Sequence, residues 1–241
     1  MQRVGSFSTT SGRLRITDPC YDRSTWCAGV VDNCSKGEWE AFTEKREVEG
    51  WGNRNALLLV RSKDKTAVSD WELLNIEVGV DAGMAGVFDE DLFKTKLKTP
   101  VKLTGRKEYD RKRWEHLVKE AESLKDDSNF LVKGLFNRRH EEAVERLKEF
   151  DAEPAKISSD FYDVCCSLTF SNVGAGTLEY GAVSSSGFGD GSYAAYARKT
   201  ITGEVAEIKI VFMDDEKSDE EFDYEDEPRE GTGTFFLGGK L

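Results

Sequence analysis

The 241-residue chain has only four prolines and two histidines, and no apolar run approaches the length that spans a bilayer. Also missing are a Cys-x-x-Cys pair, a Gly-x-Ser-x-Gly elbow, a phosphate-binding lysine loop and a metalloprotease helix. These absences remove the sequence signatures of structural zinc, α/β-hydrolase chemistry, P-loop nucleotide hydrolysis and zinc peptidases. Residues 1–10 lack the apolar core of a signal peptide, and the five cysteines, an odd number with Cys165 and Cys166 adjacent, do not read as a disulfide framework. A reducing, cytoplasmic compartment is the expectation. Few prolines beside 22 glycines and 14 phenylalanines favour a turn-rich β or α+β protein over a helical bundle.

The net charge of −12 is unevenly placed. Asp214 to Glu230 holds eleven carboxylates against Lys217 and Arg229, so nine of the twelve net charges sit in that segment. It is expected to be a solvated acidic loop over 214–230, with engagement of a basic partner as the alternative. Overall acidity argues against nucleic acid or an anionic membrane as partner.

The chain is organised around Val183-Ser184-Ser185-Ser186-Gly187-Phe188-Gly189-Asp190-Gly191-Ser192-Tyr193. Alternate glycines allow left-handed backbone and close approach, and Asp190-Gly191 between apolar runs is a hairpin signal. Two earlier stretches resemble it: Ser11-Gly12 leads to Asp18, and Ala82-Gly83 leads to Asp89, six residues on from the glycine in each case. The structural reading is a set of equivalent turns that open strands. The functional reading has Asp18, Asp81, Asp89 and Asp190 converging on one rim.

Alternation marks a half-buried strand over 13–17, ended by Asp18-Pro19-Cys20. Residues 22–36 carry Trp26, Cys27, Val30, Val31 and Cys34 at helix-like spacing, read as a short helix or compact loop. Strands are expected over 38–43, 55–61, 71–80, 177–184, 192–198 and 204–212, a helix start over 89–97, and a returning strand over 231–239. Between Lys98 and Pro154 glycine almost vanishes and charge dominates. Amphipathic spacing there predicts helices over 106–125 and 137–150, an inserted helical hairpin carrying His116 and His140 as surface residues. Ser158-Ser159-Asp160 offers a cap for a helix through Phe161, Val164, Cys165 and Leu168. The expected fold is therefore a single α+β domain over 1–241, with a largely antiparallel β-sheet core drawn from both ends of the chain, a 98–154 helical insertion and a 214–230 acidic loop.

Two function classes follow. One is a non-enzymatic binding protein that takes a protein partner or small polar ligand at Asp81, Asp89, Ser185, Ser186, Gly187, Gly189, Asp190 and Gly191. The other is a hydrolase or transferase using Asp18, Cys20, Asp190 and Tyr193, with a carboxylate as general base and a divalent cation between aspartates. Neither histidine lies near Cys20 in sequence to activate it, so binding is the preferred reading, with no metal site and no cofactor expected.

Taken together, Ser11 to Tyr21, Val80 to Asp89 and Ser185 to Tyr193 resemble a poorly characterised family of bacterial and phage-borne proteins known only as a domain of unknown function. The resemblance covers most of the chain outside 98–156. It implies no activity, but a bacterial or phage cytosolic setting with interaction or immunity-type accessory roles.

Overall fold

A computed structural model describes residues 1–123, 138, 140–148 and 154–214. Its strands are β1 (Gln2–Thr9), β2 (Leu14–Thr17), β3 (Gly29–Val31), β4 (Gly37–Val48), β5 (Gly52–Ser62), β6 (Glu72–Val80), β7 (Met84–Asp89), β8 (Val101–Lys102), β9 (Ile157–Ser158), β10 (Ala175–Leu178), β11 (Gly181–Ser185), β12 (Gly191–Lys199) and β13 (Val205–Val211). The helices are α1 (Gly105–Ser123), α2 (140–148) and α3 (Phe161–Thr169). The fold class is α+β. The expected acidic loop beyond Asp214, the returning strand over 231–239 and the link between α1 and α2 lie outside the described residues.

Six strands form one sheet in the order β1-β4-β5-β13-β12-β6, and five form a second in the order β10-β11-β7-β2-β3. Every ladder between these strands is antiparallel. The main core joins the two sheets: Phe7, Trp39, Leu58, Val60, Val78, Ile208 and Ile210 come from the first, and Leu14, Ile16, Val31, Ala85, Val87 and Ala182 from the second. Strands from either side of the helical segment thus share one apolar interior.

The second sheet is covered on both faces. Side chains alternate along a strand, so in β7 Ala85 and Val87 enter the inter-sheet core while Met84 and Phe88 enter a second cluster with Phe93, Phe161, Val164 and Cys165. Every residue of β7 is consequently buried. The half-buried strand expected over 13–17 departs in the same way. Leu14 and Ile16 face the other sheet, yet Arg15 on the opposite face is also buried, with Nε 2.6 Å from Glu90 Oε2 and its guanidinium 5.4 Å from the Phe93 ring centre. Arg23 Nη1 lies 2.6 Å from the other Glu90 oxygen.

Of the two forms expected for residues 22–36, the structure has the compact loop: turns closed by Tyr21 N–H to Asp18 O and Thr25 N–H to Asp22 O lead into the short edge strand β3. Three local expectations are corrected. Residues 90–94 are turns, because the Asp89 side chain takes the Asp91 N–H, and Lys94 has φ of 60°, outside helical space. The apolar run 177–184 is a hairpin, with Leu178 paired to Gly181 across Glu179-Tyr180. Asp190-Gly191 carries the chain from β11 in one sheet to β12 in the other, so it is a crossing between layers and not a hairpin turn.

The helical segment leaves and returns through the β8–β9 ladder, which pairs Val101 with Ser158 and Lys102 with Ile157. Gly105 N–H donates to Ser167 Oγ at 3.1 Å, bringing the first turn of α1 against α3. His116 and His140 lie 3.9 Å from Glu120 and Glu122 respectively. α3 begins at Asp160, whose carboxylate accepts the Tyr162 and Asp163 N–H groups. No described helix is long and apolar enough to cross a membrane.

Candidate functional site

The repeated small-residue turns are real, and their aspartates serve the backbone. Asp18 is fully buried: Oδ2 accepts the N–H groups of Asp81 and Ala82 at 2.9 and 2.7 Å, and Oδ1 accepts that of Cys20 at 2.8 Å. Asp89, equally buried, repeats the arrangement on the first turn. Its Oδ2 accepts the N–H groups of Thr10 and Ser11 at 2.7 and 3.0 Å and the Thr9 hydroxyl at 2.8 Å, and its Oδ1 accepts the Asp91 N–H at 3.0 Å. Thr10-Ser11-Gly12 and Asp81-Ala82-Gly83 are therefore equivalent, with the glycines at φ of 73° and 63°. The strands they open, β2 and β7, pair antiparallel from Leu14↔Asp89 to Thr17↔Gly86, and the strands they close, β1 and β6, are the two edges of the six-stranded sheet. The relation is that of an approximate two-fold axis between β2 and β7.

Asp190 belongs to the same system from outside, since its exposed carboxylate accepts the Gly83 N–H at 3.0 Å. Asp18, Asp81 and Asp190 thus gather around the β6–β7 turn, whereas Asp89 holds the other one. Among the described residues no group of three or more His, Cys, Asp or Glu side chains is placed to hold a metal ion.

Tyr193 closes the glycine-rich turn. Its hydroxyl lies 2.8 Å from the Ser186 carbonyl and 2.7 Å from that of Gly189, and Ser186 Oγ donates to the Gly189 carbonyl at 2.7 Å. The Gly189 N–H returns to the Ser186 carbonyl at 3.0 Å, which makes residues 186–189 a tight turn. Gly187 has φ of 59°, and a β-carbon there would stand 3.1 Å from Phe212 Cβ, so both its freedom and its smallness are used. Ser185 sits below, its Oγ accepting from Asn55 Nδ2 at 3.1 Å.

Between the β6–β7 turn, the 186–189 turn and α3 lies a groove of about 520 Å³. It is lined by Asp81, Ser185, Ser186, Gly187 and Gly189 from the expected set, and also by Arg54, Phe188 and Tyr162, which the sequence did not single out. Asp89, Asp190 and Gly191 are not in its wall. A second cavity of about 460 Å³, lined by Pro19, Cys20, Lys94 and residues 160–162, shares Tyr162 with the groove.

The electrostatics leave no activated nucleophile there. Burial pushes the Cys20 thiol up to about 12, helped by its hydrogen bond to Asp18 and by the charges of Asp18 and Asp81, against which Lys94 pulls only weakly. At neutral pH that sulfur is a thiol. The Tyr21 hydroxyl is likewise held protonated, first by burial and then by hydrogen bonds to Cys27 and Asp81. Burial also raises Tyr193. For Asp89 burial is the largest single influence and would raise its pKa, but the N–H and hydroxyl donors of residues 9–11 outweigh it and hold the carboxyl below its ordinary range.

A second set of groups stands beside the groove, with Trp51 and Phe188 exposed and Arg54 half-buried. Trp51, at the tip of the β4–β5 hairpin, meets Phe188 edge to face with ring centres 5.8 Å apart. Arg54 lies over the Trp51 ring at 5.3 Å, with its Nε donating to the Trp51 carbonyl at 3.0 Å. No motif announces this trio. An aromatic flanked by glycines at two separate turn tips, Gly50-Trp51-Gly52 and Gly187-Phe188-Gly189, is the one sequence signal that could have found it.

A family model described as a protein of unknown function (DUF4241) matches residues 7–210. No curated protein and no solved structure matches the chain.

Proposed function

The chain belongs to the DUF4241 family of proteins of unknown function, and from the geometry of its groove we propose that it acts by binding a protein partner or small polar ligand rather than by catalysis. One observation carries this reading. The turns that form the groove spend their buried carboxylates and hydroxyls on their own backbone, while its outward-facing groups are suited to recognition: Arg54, Asp81, Tyr162 and Phe188. A rigid wall carrying a few polar groups and an aromatic anchor is the usual makeup of a recognition site. The catalytic alternative needs a thiolate at Cys20 or a base beside it, and the surroundings of that sulfur favour the thiol. In this reading the protein works in a bacterial or phage-infected cytoplasm, in an accessory or immunity-type role.

A saturation-transfer NMR screen of small polar compounds and short peptides tests the proposal. Compounds should contact wild type, and contact should be lost in Phe188→Ala, an exposed position whose replacement is expected to leave the circular dichroism spectrum unchanged. A screen in which every hit survives Phe188→Ala places recognition elsewhere.

A further inference from the structure

Resting on that reading, we infer that the groove takes an acidic segment of a partner protein, with one carboxylate side chain seated on Arg54 and a neighbouring bulky apolar side chain packed against Trp51 and Phe188. The first reason is the state of Arg54. Arg3, Arg13, Arg15, Arg23, Arg61 and Arg198 are all ion-paired within the chain. Arg54 instead spends Nε on the Trp51 carbonyl, and its two terminal nitrogens meet no carboxylate among the described residues. A guanidinium fixed on one edge and stacked on an indole presents its remaining edge in a set direction, which suits two-point capture of a carboxylate.

The neighbouring surface selects what stands beside that carboxylate. Trp51 and Phe188 remain 55% and 51% exposed although they touch each other, so each offers a fixed aromatic face to a further side chain. The backbone N–H of Phe188, at the exposed tip of the turn, has no acceptor among the described residues. Asp81, which accepts the Tyr21 hydroxyl, also lines the groove, and an acidic side chain there disfavours a run of carboxylates in the ligand. The match is one acid next to one large apolar residue. The groove is bounded by four separate chain segments, around Arg54, the β6–β7 turn, α3 and the 185–189 turn, which fits an extended chain passing across it.

The test uses the full chain and four fluorescein-labelled nonapeptides in a Gly/Ser frame, carrying Glu-Phe, Gln-Phe, Lys-Phe or Glu-Ala at the centre, with binding read by fluorescence anisotropy. Glu-Phe should bind about tenfold more tightly than Gln-Phe at low salt, the size expected when a charged hydrogen bond is lost. The gap should shrink as salt is raised. Arg54→Gln should erase the gap, whereas Phe188→Ala should weaken Glu-Phe and Gln-Phe alike. The inference is overturned if Gln-Phe or Lys-Phe binds as well as Glu-Phe, if Arg54→Gln leaves the gap in place, or if none of the four binds. Any of these results, obtained while the NMR hits still depend on Phe188, removes the acidic segment and leaves the groove as a binding site. Hits that ignore Phe188 remove both.

Discussion

Asp18 accepts hydrogen bonds from the turn that opens the strand ending in Asp89, and Asp89 accepts hydrogen bonds from the turn that opens the strand leading into Asp18. Each buried carboxylate satisfies two backbone donors of the turn that have no other acceptor among the described residues, and each also caps its own following turn. Two residues that look like candidate acids or metal ligands are in fact what holds the ends of the two sheets in register.

Removing either charge should cost stability rather than function alone. Asp18→Asn and Asp89→Asn place an amide NH₂ where backbone N–H groups converge, and each should lower the unfolding free energy by about 2–4 kcal/mol. Asp190→Asn, exposed and holding a single N–H, should cost under about 1 kcal/mol. Urea midpoints at neutral pH measure all three. Equal and small shifts would show that the buried pair is not structural.

Acid should act through the same groups. Asp89 and Glu90 titrate below their ordinary values in the folded chain, Asp89 through residues 9–11 and Glu90 through Arg15 and Arg23, in both cases against the opposing effect of burial. A depressed folded pKa gives stability that is complete above the unfolded values, about 3.9 and 4.3, and is lost as pH falls below them toward the folded ones. Wild type should therefore lose stability below about pH 4.5. The penalty of Asp89→Asn or Glu90→Gln should narrow between about pH 5 and 3, because the parent loses the same contribution there. A penalty independent of pH would place the effect in packing.

How far this could be read from sequence depends on the range of the forces. The turns at Ser11-Gly12 and Ala82-Gly83 and the aspartate six residues beyond each glycine were visible, because glycine and aspartate report local backbone needs. Their reciprocal use was not, since Thr10 and Ser11 find their acceptor 79 and 78 residues away. The second sheet hid itself by being covered on both faces, so β7 shows no alternation and the β10–β11 hairpin reads as one strand. The helical segment was legible because its i, i+3, i+4 spacing needs no distant partner. Of the groove's lining, Asp81, Ser185, Ser186, Gly187 and Gly189 were among the expected residues and Phe188 was not. Arg54 and Trp51 reach that wall only through tertiary packing, from a hairpin more than a hundred residues earlier.

Tyr193 separates a structural from a chemical role. Tyr193→Phe keeps the ring on Phe212, 5.2 Å away and edge to face, and deletes only the hydroxyl shared by the Ser186 and Gly189 carbonyls. The expected loss is about 1 kcal/mol of stability, with ligand binding in the groove weakened only as far as the turn loosens. Thermal unfolding and anisotropy on the same preparation check this. Abolished binding at unchanged stability would make the hydroxyl a direct contact.

Cys20 should be a slow thiol. With its pKa near 12, the thiolate fraction at pH 8 lies far below that of an ordinary cysteine, and alkylation by iodoacetamide should run at least about tenfold slower than for a free peptide cysteine. Mass spectrometry of the Cys20 peptide over time reads the rate. Rapid labelling at neutral pH would revive the nucleophile.

The exchanged clasps also set an order of events during synthesis. The Thr10–Gly12 turn is built early, but its acceptor is residue 89, and at about 5–20 residues per second the ribosome needs roughly 4–16 s to supply it. Until then those N–H groups can bond only water, and β1 and β2 cannot be fixed at their final angle. The β6–β7 turn has no such wait, because Asp18 precedes it. The second half of the pair can thus assemble on a waiting partner, and the first half closes only when β7 arrives.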